Sequence, residues 1–486
     1  MIRKTWQSIQ YGLWAGVILI LPVSSMPLIV RLVGSDTVAA PSGLLMLVFV
    51  ITWFFPYALR GGRINSVARL FLAFCLLAFV STLISNFIHI TPYKAISPLW
   101  NNLKSLLTLL VGASFFIVTA TWIDNPRKLN LTFKLINWAG LAIVIWSTLQ
   151  AVYWARDNRY PEWMRAVHDL YSVGPLFRQR VSGFALEPSW LAHQLNMLFL
   201  PYWLAAAMNN YAAHRYRVGI FTFENLLLLS GAAVLWLTLS RVGLLGFLGM
   251  LAFLLIWVNI RFIRSMRARW LARHHGADEK SWLTPNRMMW VFVVTFIIGF
   301  ILIVVGVGYG LSKVDPRMRS MFQIDLSRPD AILYFAERLT FASRVVYWQA
   351  GWEIFNRFPI FGVGLGNAGY FFPQVLPPYA WKLVEVRDLI FRSEVLLNIK
   401  SLWVRLLAEC GIAGFSVFIG MLYFITRQAV LTWRQSDRQL RTIGLMGVLV
   451  VIGLIFEAFS IDSFGLPYIW IALGLASSGY WVKLKI

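Results

Sequence analysis

Five arginines adjoin apolar stretches, where a charged side chain is costly, and they are the first candidates for chemistry. They are Arg178, Arg180, Arg241, Arg344 and Arg405. The guanidinium group binds phosphate and carboxylate oxygens in pairs, so several arginines beside apolar segments indicate an anionic ligand, with phosphate as the natural candidate. A single arginine at the end of an apolar helix usually extends to lipid headgroups. The inference therefore depends on the surroundings of the whole set.

The stretch RQRVSGFALEPSWLAHQLNM contains the first two arginines and a carboxylate, Glu187, directly before Pro188. Proline suits the first turn of a helix, and an acid there suits the helix dipole. Glu187 is thus either a helix-start residue or a general base at the edge of the hydrocarbon. We expect His193, about two turns further on, to be a packed, hydrogen-bonded histidine.

Two further stretches combine Ser-Arg pairs with glycine. Arg241 follows Ser240 between two apolar segments, and Gly243 and its neighbouring glycines at three-residue spacing predict close helix packing. Arg344 begins a predicted amphipathic helix that ends at Pro359. One face of this helix is apolar, with Val345, Trp348, Trp352 and Phe355.

A glycine-rich turn, GVGLGN, follows that helix and includes Gly364, Gly366 and Asn367. It lacks the strand of a dinucleotide fingerprint and the Gly-Lys-Ser/Thr of a P-loop. We interpret it as a turn whose exposed backbone N–H groups approach phosphate or sugar. Further on, Lys400 precedes an apolar helix in which Arg405 and Glu409 are four residues apart and predict an ion pair.

The elements that position these residues are membrane helices. Hydrophobic residues make up 59% of the 486 residues and charged residues only 13%. We predict an all-α, polytopic integral membrane protein with about 12 transmembrane helices. The predicted spans are 11–33, 41–59, 66–88, 101–122, 133–154, 187–208, 221–240, 242–260, 288–311, 402–427, 441–460 and 463–482.

The formal charge of +23 reflects basic loops that lie on one side of these spans. Lys and Arg collect on the cytoplasmic side of membrane proteins, so both termini are expected inside, and nucleic acid is not an expected partner. Cys75 and Cys410 have no metal-ligand or disulfide spacing, and no cleavable signal peptide is evident. The domains expected are residues 1–311 with nine transmembrane helices, an outer helical loop at 312–400 that acts as a catalytic lid, and 401–486 with three more.

Four motifs in this order resemble the O-antigen ligase and Wzy-type polysaccharide polymerase superfamily. They are Glu-Pro-Ser at a span start, Ser-Arg-x-Gly between two spans, Ser-Arg-x-x-x-Trp with Pro-x-x-Gly-x-Gly, and Leu-Leu-Ala-Glu-x-Gly-Ile-x-Gly. The resemblance covers about residues 175 to 425. It implies a GT-C-like fold with one large periplasmic loop, in the bacterial inner membrane. It also implies a metal-independent, inverting glycosyltransferase without a cofactor, whose donor is an undecaprenyl-diphosphate-linked oligosaccharide.

Within that family the Ser-Arg arginines bind the diphosphate, so the resemblance gives Arg241 and Arg344 this role and makes Glu187 the candidate base. The ligases carry His-Asn where this chain has Lys400-Ser401, so the Glu-Pro-Ser motif favours the polymerase branch. Lys400 remains the rival base. We assign Arg178, Arg180, Lys400, Arg405, Gly364, Gly366 and Asn367 to substrate binding.

The expected activity is polymerisation of lipid-linked repeat units at the periplasmic face. Membrane lipid is an expected partner, and a chain-length regulator is a candidate partner. The alternatives are a ligase that transfers the glycan to lipid A-core or another acceptor, and a flippase. Transporters usually show internal repeats and broken helices in matching halves, which this sequence lacks.

Overall fold

The computed structural model describes residues 2–35, 39–273, 285–314 and 341–485, and these residues are mostly helical. The helices of the first half are α1 (Ile2–Ile20), α2 (Pro27–Val33), α3 (Ser42–Phe49), α4 (Phe55–Leu59), α5 (Ser66–Ile84), α6 (Pro98–Trp122), α7 (Pro126–Asp157), α8 (Glu162–Tyr171), α9 (Pro188–Gln194), α10 (Leu200–Asn209) and α11 (Phe223–Leu237). Those that follow are α12 (Arg241–Arg273), α13 (Pro285–Val314), α14 (Ala342–Arg357), α15 (Ala368–Val375), α16 (Val384–Arg387), α17 (Leu402–Trp433), α18 (Arg438–Glu457) and α19 (Pro467–Lys485).

Shorter elements join several of these helices. Single π-turns at Val50–Phe54 and Leu195–Phe199 connect α3 to α4 and α9 to α10, so each pair forms one continuous rod. A third π-turn, Asp388–Arg392, follows α16, and 3₁₀ turns lie at Ser85–Phe87 and Pro378–Lys382. Strands β1 (Arg217–Val218) and β2 (Phe221–Thr222) pair as a two-residue antiparallel hairpin.

The chain divides into two compact units. Residues 1–246 and 343–486 form the first unit, which contains almost every candidate functional residue. Residues 247–342 form the second, which consists in its described part of the rest of α12, all of α13 and residues 341–342. The division of the chain into a membrane part and a lid at 312–400 stays a prediction, and residues 315–340 of that lid lie outside the described residues.

Eight helical stretches among the described residues are long and apolar enough to cross a membrane, judged by length and composition. They are Ser42–Leu59, Ser66–Phe87, Pro98–Trp122, Pro126–Asp157, Arg241–Arg269, Met289–Gly310, Leu402–Trp433 and Arg438–Glu457. The chain is therefore an all-α membrane protein. The predicted count of twelve spans stays a prediction.

The first predicted span, 11–33, is wrong as a single helix. The helix α1 ends at Ile20, and a short α2 begins only at Pro27. Pro22 explains the break, because a proline disfavours helical backbone in the residue before it and has no N–H to continue the helix. Each of the other predicted spans coincides with a helix to within several residues.

The predicted amphipathic helix is confirmed as α14, which begins two residues before Arg344 and ends two before Pro359. Its buried face consists of Val346, Tyr347, Ala350 and Ile354. The predicted apolar stripe lies on the other side: Val345 and Trp352 are exposed, and Trp348 and Phe355 are half-buried. One face of α14 therefore packs in the protein core, and a second apolar face is exposed or half-buried.

Two of the sequence motifs bind each other through their backbones. The Pro-x-x-Gly-x-Gly segment donates from the N–H groups of Val363 and Gly364 to the carbonyls of Ala408 and Glu409, at 3.0 and 2.9 Å. In return, Ile412 N–H donates to the Pro359 carbonyl at 2.8 Å.

Glycine is required on both sides of this junction. Gly411 has φ +61° inside α17, and a Cβ there would lie 2.2 Å from the Ile360 carbonyl oxygen. A Cβ at Gly362 would lie 2.6 Å from the Ala408 oxygen. The junction fixes the end of α14 against α17.

Candidate functional site

Glu187 stands directly before α9, as the sequence predicts, but its carboxylate does not cap the helix. Its backbone is extended, at φ −148° and ψ 162°, with Pro188 in the first turn and no hydrogen bond from the side chain to the helix N–H groups. Instead the hydroxyl of Ser189 donates to Glu187 Oε1. The half-buried carboxylate therefore does not cap the start of α9.

Arg344 forms a hydrogen bond with the segment that follows α18. Its Nη1 donates to the Ser460 hydroxyl at 2.7 Å. Burial lowers the pKa of the Arg344 guanidinium from its ordinary value, while the charges of three carboxylates oppose this shift. They belong to Glu385, Glu187 and Asp462. An arginine stays protonated at neutral pH, so a fixed cation lies within electrostatic range of the candidate base Glu187.

Lys400 is held in an ion pair. Its Nζ lies 2.7 Å from Glu385 Oε1 and 5.0 Å from the centre of the Tyr347 ring. The Ser343 hydroxyl donates to the other oxygen of Glu385 at 2.7 Å. Burial would raise the pKa of Glu385, but the hydrogen bond and charge of Lys400, together with Ser343 and Arg344, hold it below its usual value. This carboxylate joins α14 to Lys400, two residues before α17.

Asp462 lies between Lys400 and Arg405. One of its carboxylate oxygens accepts the Lys400 backbone N–H at 3.0 Å, and its carbonyl accepts a hydrogen bond from Arg405 Nη1. Arg405 also forms the predicted pair with Glu409, at 2.8 Å, which is confirmed. Arg405 is thus bound by two protein acceptors, and its role in substrate binding stays a prediction.

Arg180 and Arg241 both lie at the segment that links α11 to α12. The Nε of Arg180 donates to the Thr238 carbonyl at 2.8 Å, and Val181 N–H donates to the Leu237 carbonyl at 3.2 Å. Arg241 is the first residue of α12, three positions after Thr238. Only three residues separate α11 from α12, which agrees with the short connection predicted at Ser240 and Arg241, and their packing as a hairpin stays a prediction.

The glycine-rich turn does not offer free N–H groups as expected. The amides of Val363 and Gly364 donate to α17, and Leu365 N–H donates to the Thr82 hydroxyl at 3.1 Å. The expectation of exposed donors is wrong for these residues, because the turn packs against neighbouring helices. A Cβ at Gly366 would lie 2.2 Å from Ser105 Oγ, and Asn367 is fully buried.

Gly364, Gly366 and Asn367 therefore have evident packing roles. Asn367 Nδ2 donates to the Ser85 hydroxyl at 3.1 Å and to the Val363 carbonyl at 2.9 Å. Their contact with a substrate stays a prediction. Arg178 lies on an exposed surface and lines a cavity of its own, between α7 and α8.

A buried polar cluster underlies the site. Glu457, fully buried at the end of α18, accepts hydrogen bonds from His193 Nδ1 and Asn196 Nδ2. Asn196 also donates to the Gly243 carbonyl at 2.6 Å. The prediction that His193 is packed and hydrogen-bonded is confirmed, since it is 2% exposed. The cluster connects the helices that carry Glu187 and Arg241 to the one that leads to Ser460.

Sequence reasoning missed Glu385, Ser460, Asp462 and Glu457. Glu457 had a signal, because an acid in an apolar helix needs a partner and often marks a site. Glu385 lies in the short helix α16, whereas Ser460 and Asp462 lie in the segment between α18 and α19. Only the fold brings these three residues to Arg344 and Lys400.

The site combines fixed cations with carboxylates at the ends of apolar helices. Such a set can hold an anion and accept a proton from a nucleophile. Among the described residues, no group of three His, Cys, Asp or Glu side chains could hold a metal ion.

Comparison with known proteins gives one match. Residues 226–419 match the family model described as O-antigen ligase. The match includes Arg241, Arg344, Lys400 and Arg405 and ends before α18, whereas Glu187 lies ahead of it. No curated protein matches the chain. Over residues 226–419 the chain is therefore similar to the O-antigen ligase family, which supports the resemblance to the O-antigen ligase and Wzy-type superfamily.

Proposed function

We propose that the protein is a polysaccharide polymerase of the bacterial inner membrane. It transfers a glycan from undecaprenyl diphosphate to a sugar hydroxyl of another lipid-linked repeat unit, at the periplasmic face. The observation that carries this proposal is the electrostatic interaction between Glu187 and Arg344, in a chain whose residues 226–419 match the O-antigen ligase family. Arg344 supplies the cation for a diphosphate and Glu187 the base for a hydroxyl.

The chemistry needs little beyond charge stabilisation and one proton transfer. As the sugar–phosphate bond breaks, negative charge grows on the leaving diphosphate oxygen, and guanidinium groups in a water-poor site stabilise it. In our assignment these are Arg344 and Arg241, assisted by Arg180. Ser460 orients Arg344 through the hydrogen bond at 2.7 Å.

The acceptor hydroxyl loses its proton to Glu187 as it attacks the sugar from the side opposite the diphosphate, with inversion and without a metal ion. The apolar stripe of α14 suits the polyprenyl tail of the donor. Val345 and Trp352 are exposed on the same helix that carries Arg344, so a lipid chain along this stripe brings its diphosphate towards the site.

A ligase is the second candidate, because the matching family model bears that description. Its histidine position is held by Lys400, whose amine is paired with Glu385, and this supports the polymerase assignment. Purified protein in liposomes with lipid-linked repeat units distinguishes the candidates. A polymerase gives a ladder of products, a ligase gives product only with its acceptor, and a flippase makes no new bond.

The same assay tests Arg344. We expect Arg344→Ala to lower the rate by about 10²–10³-fold, as removal of a charged transition-state donor does elsewhere. Arg344→Lys should recover little, since an ammonium cannot replace the planar fork. The matched control is Arg357→Ala on the same helix, whose exposed side chain pairs with Glu353. Equal rates for Arg344→Ala and this control would exclude the assignment.

The periplasmic orientation is tested separately, by single cysteines in intact spheroplasts. We expect Gln374→Cys, after α14, to react with an impermeant thiol reagent, and Ser436→Cys, between α17 and α18, not to react. Both positions are exposed. The opposite labelling pattern would reverse the topology.

A further inference from the structure

A cavity of about 580 Å³ lies in the first unit, between the end of α7, helix α8 and the segment that leads to Arg178. Its lining includes three arginines, one carboxylate and two aromatic rings. They are Arg159, Arg165, Arg178, Asp169, Trp154 and Tyr160. None of the mechanistic assignments above accounts for this arrangement.

Within the described part of the chain, the arginines of the cavity have no protein partner that competes with a ligand. No described residue forms a hydrogen bond or ion pair with Arg159, Arg165 or Arg178, although Arg159 lies within electrostatic range of Asp157. The adjacent Arg156, in contrast, binds both oxygens of Asp157 at 3.0 Å. With Asp169 as the one carboxylate of the lining, the cavity is cationic and selects an anion.

The aromatic side of the cavity is firmly held. The rings of Trp154 and Tyr160 lie 5.6 Å apart, and the Tyr160 hydroxyl donates to the Phe177 carbonyl at 2.7 Å. Beneath them, both ring nitrogens of His168 are engaged, one by the Tyr171 hydroxyl at 2.9 Å and one by the Gly174 carbonyl at 2.7 Å. Burial lowers the pKa of His168, so its ring is neutral at pH 7.

The cavity is built on the same segment that positions Glu187. The N–H of Leu186, the residue before Glu187, donates to the Ser24 hydroxyl at 2.8 Å. The segment after α8 packs tightly on Leu186, since a Cβ at Gly174 would lie 2.2 Å from the Leu186 carbonyl oxygen. The segment between α8 and α9 therefore contributes both to the cavity, through Leu176 and Arg178, and to the position of Glu187.

We propose that this cavity binds an acidic sugar residue of the glycan, a hexuronate or a similar carboxylate-bearing ring. The proposal rests on the polymerase function above and names a subsite for its substrate. Two guanidinium groups bind the carboxylate, Asp169 accepts a ring hydroxyl, and the apolar face of the sugar packs on Trp154 or Tyr160.

Binding is measured on the full-length protein in nanodiscs of zwitterionic lipid, by calorimetry with trigalacturonate and with maltotriose. We expect the acidic probe to bind at least about tenfold more tightly than the neutral one. The variant Arg159→Gln/Arg165→Gln/Arg178→Gln should lose about tenfold or more in affinity for trigalacturonate. The control Arg156→Gln removes an equally basic neighbour that does not line the cavity and should bind as the wild type does.

Equal affinity for both probes, or an unchanged affinity in the triple variant, would overturn the proposal. Loss of trigalacturonate binding in phosphatidylglycerol nanodiscs, restored in zwitterionic ones at equal ionic strength, would assign the cavity to a lipid headgroup instead. All variants are checked by thermal unfolding. The measurement needs no turnover, so a missing polymer ladder and missing acidic-sugar binding are separate results.

Discussion

The buried cluster of Glu457, His193 and Asn196 allows a prediction whose size follows from burial. Glu457 is fully buried and His193 is 2% exposed, so neither group can replace a lost partner with bulk water. Truncation of one member of a buried, hydrogen-bonded pair costs about 3–5 kcal/mol. We therefore expect Glu457→Ala to lower the free energy of unfolding by about this amount.

The isosteric change Glu457→Gln should cost less. The amide oxygen can still accept from Asn196, and His193 can change its tautomer to accept from the new NH₂ group. About 1–3 kcal/mol is expected, the penalty for a poorly satisfied buried polar group. Glu353→Gln is the control, because its exposed pair with Arg357 contributes about 0–0.5 kcal/mol.

A double-mutant cycle distinguishes the pair from general damage. Once Glu457 is alanine, the further change His193→Ala should cost about 1.5–3 kcal/mol less than it does in the wild type. Unfolding is followed by tryptophan fluorescence in detergent. Additive effects in the cycle, or a Glu457→Ala variant as stable as the Glu353→Gln control, would refute the reasoning. The same cluster positions α9, α12 and Ser460, so folded Glu457→Gln protein should lose kcat more than donor affinity.

Three further predictions follow from the site. Glu187→Gln should abolish polymer formation while lipid-linked donor still binds, and Lys400→Met should keep substantial activity; a dead Lys400→Met with an active Glu187→Gln would reverse the assignment of the base. Glu385 has a lowered pKa, so its stabilising effect is fully present above its ordinary pKa of 4.5 and is lost as the pH falls through the folded-state value; the difference in melting temperature between wild type and Glu385→Gln should therefore be largest near pH 7 and shrink in acid. Gly411→Ala should cost at least about 2–3 kcal/mol, because it combines a positive φ with a backbone clash; Gly420→Ala, on the same helix with no atom within 4 Å of the new Cβ, should be neutral or stabilising, and similar melting temperatures for the two would contradict this.

Hydrophobicity and proline placement predicted most of the helices, because both act within one segment. The ends of α14 follow from Pro359 and from the Ser-Arg start, and the structure has them within two residues of those positions. The same reasoning failed for 11–33, where the apolar composition concealed the effect of Pro22. Composition indicates whether a segment can enter a membrane, whereas backbone constraints such as a proline determine whether the segment forms a single helix.

The glycine motifs needed tertiary information. Gly362 and Gly364 are spaced as in a ligand-binding turn, but in the structure a Cβ at Gly362 would meet the backbone of α17 and one at Gly364 would meet the Ser85 side chain. The sequence shows that glycine stands at these positions, but it does not show which atoms occupy the space where a Cβ would lie. Ser460 and Asp462 were missed for a related reason, since their partners are more than 50 residues distant along the chain.

The choice between Glu187 and Lys400 as the base depends on how each is already bound. Lys400 must release a proton and leave an ion pair of 2.7 Å before it can accept one, and Glu385 is kept ionised by its lowered pKa. Its backbone, at φ +54° with the N–H bound to Asp462, also fits a residue that organises the start of α17. Among the described residues, the Glu187 side chain accepts a hydrogen bond from Ser189, two positions further on, and its second oxygen is available for a substrate. Geometry therefore favours the carboxylate as base and the lysine as an anchor between α14 and α17.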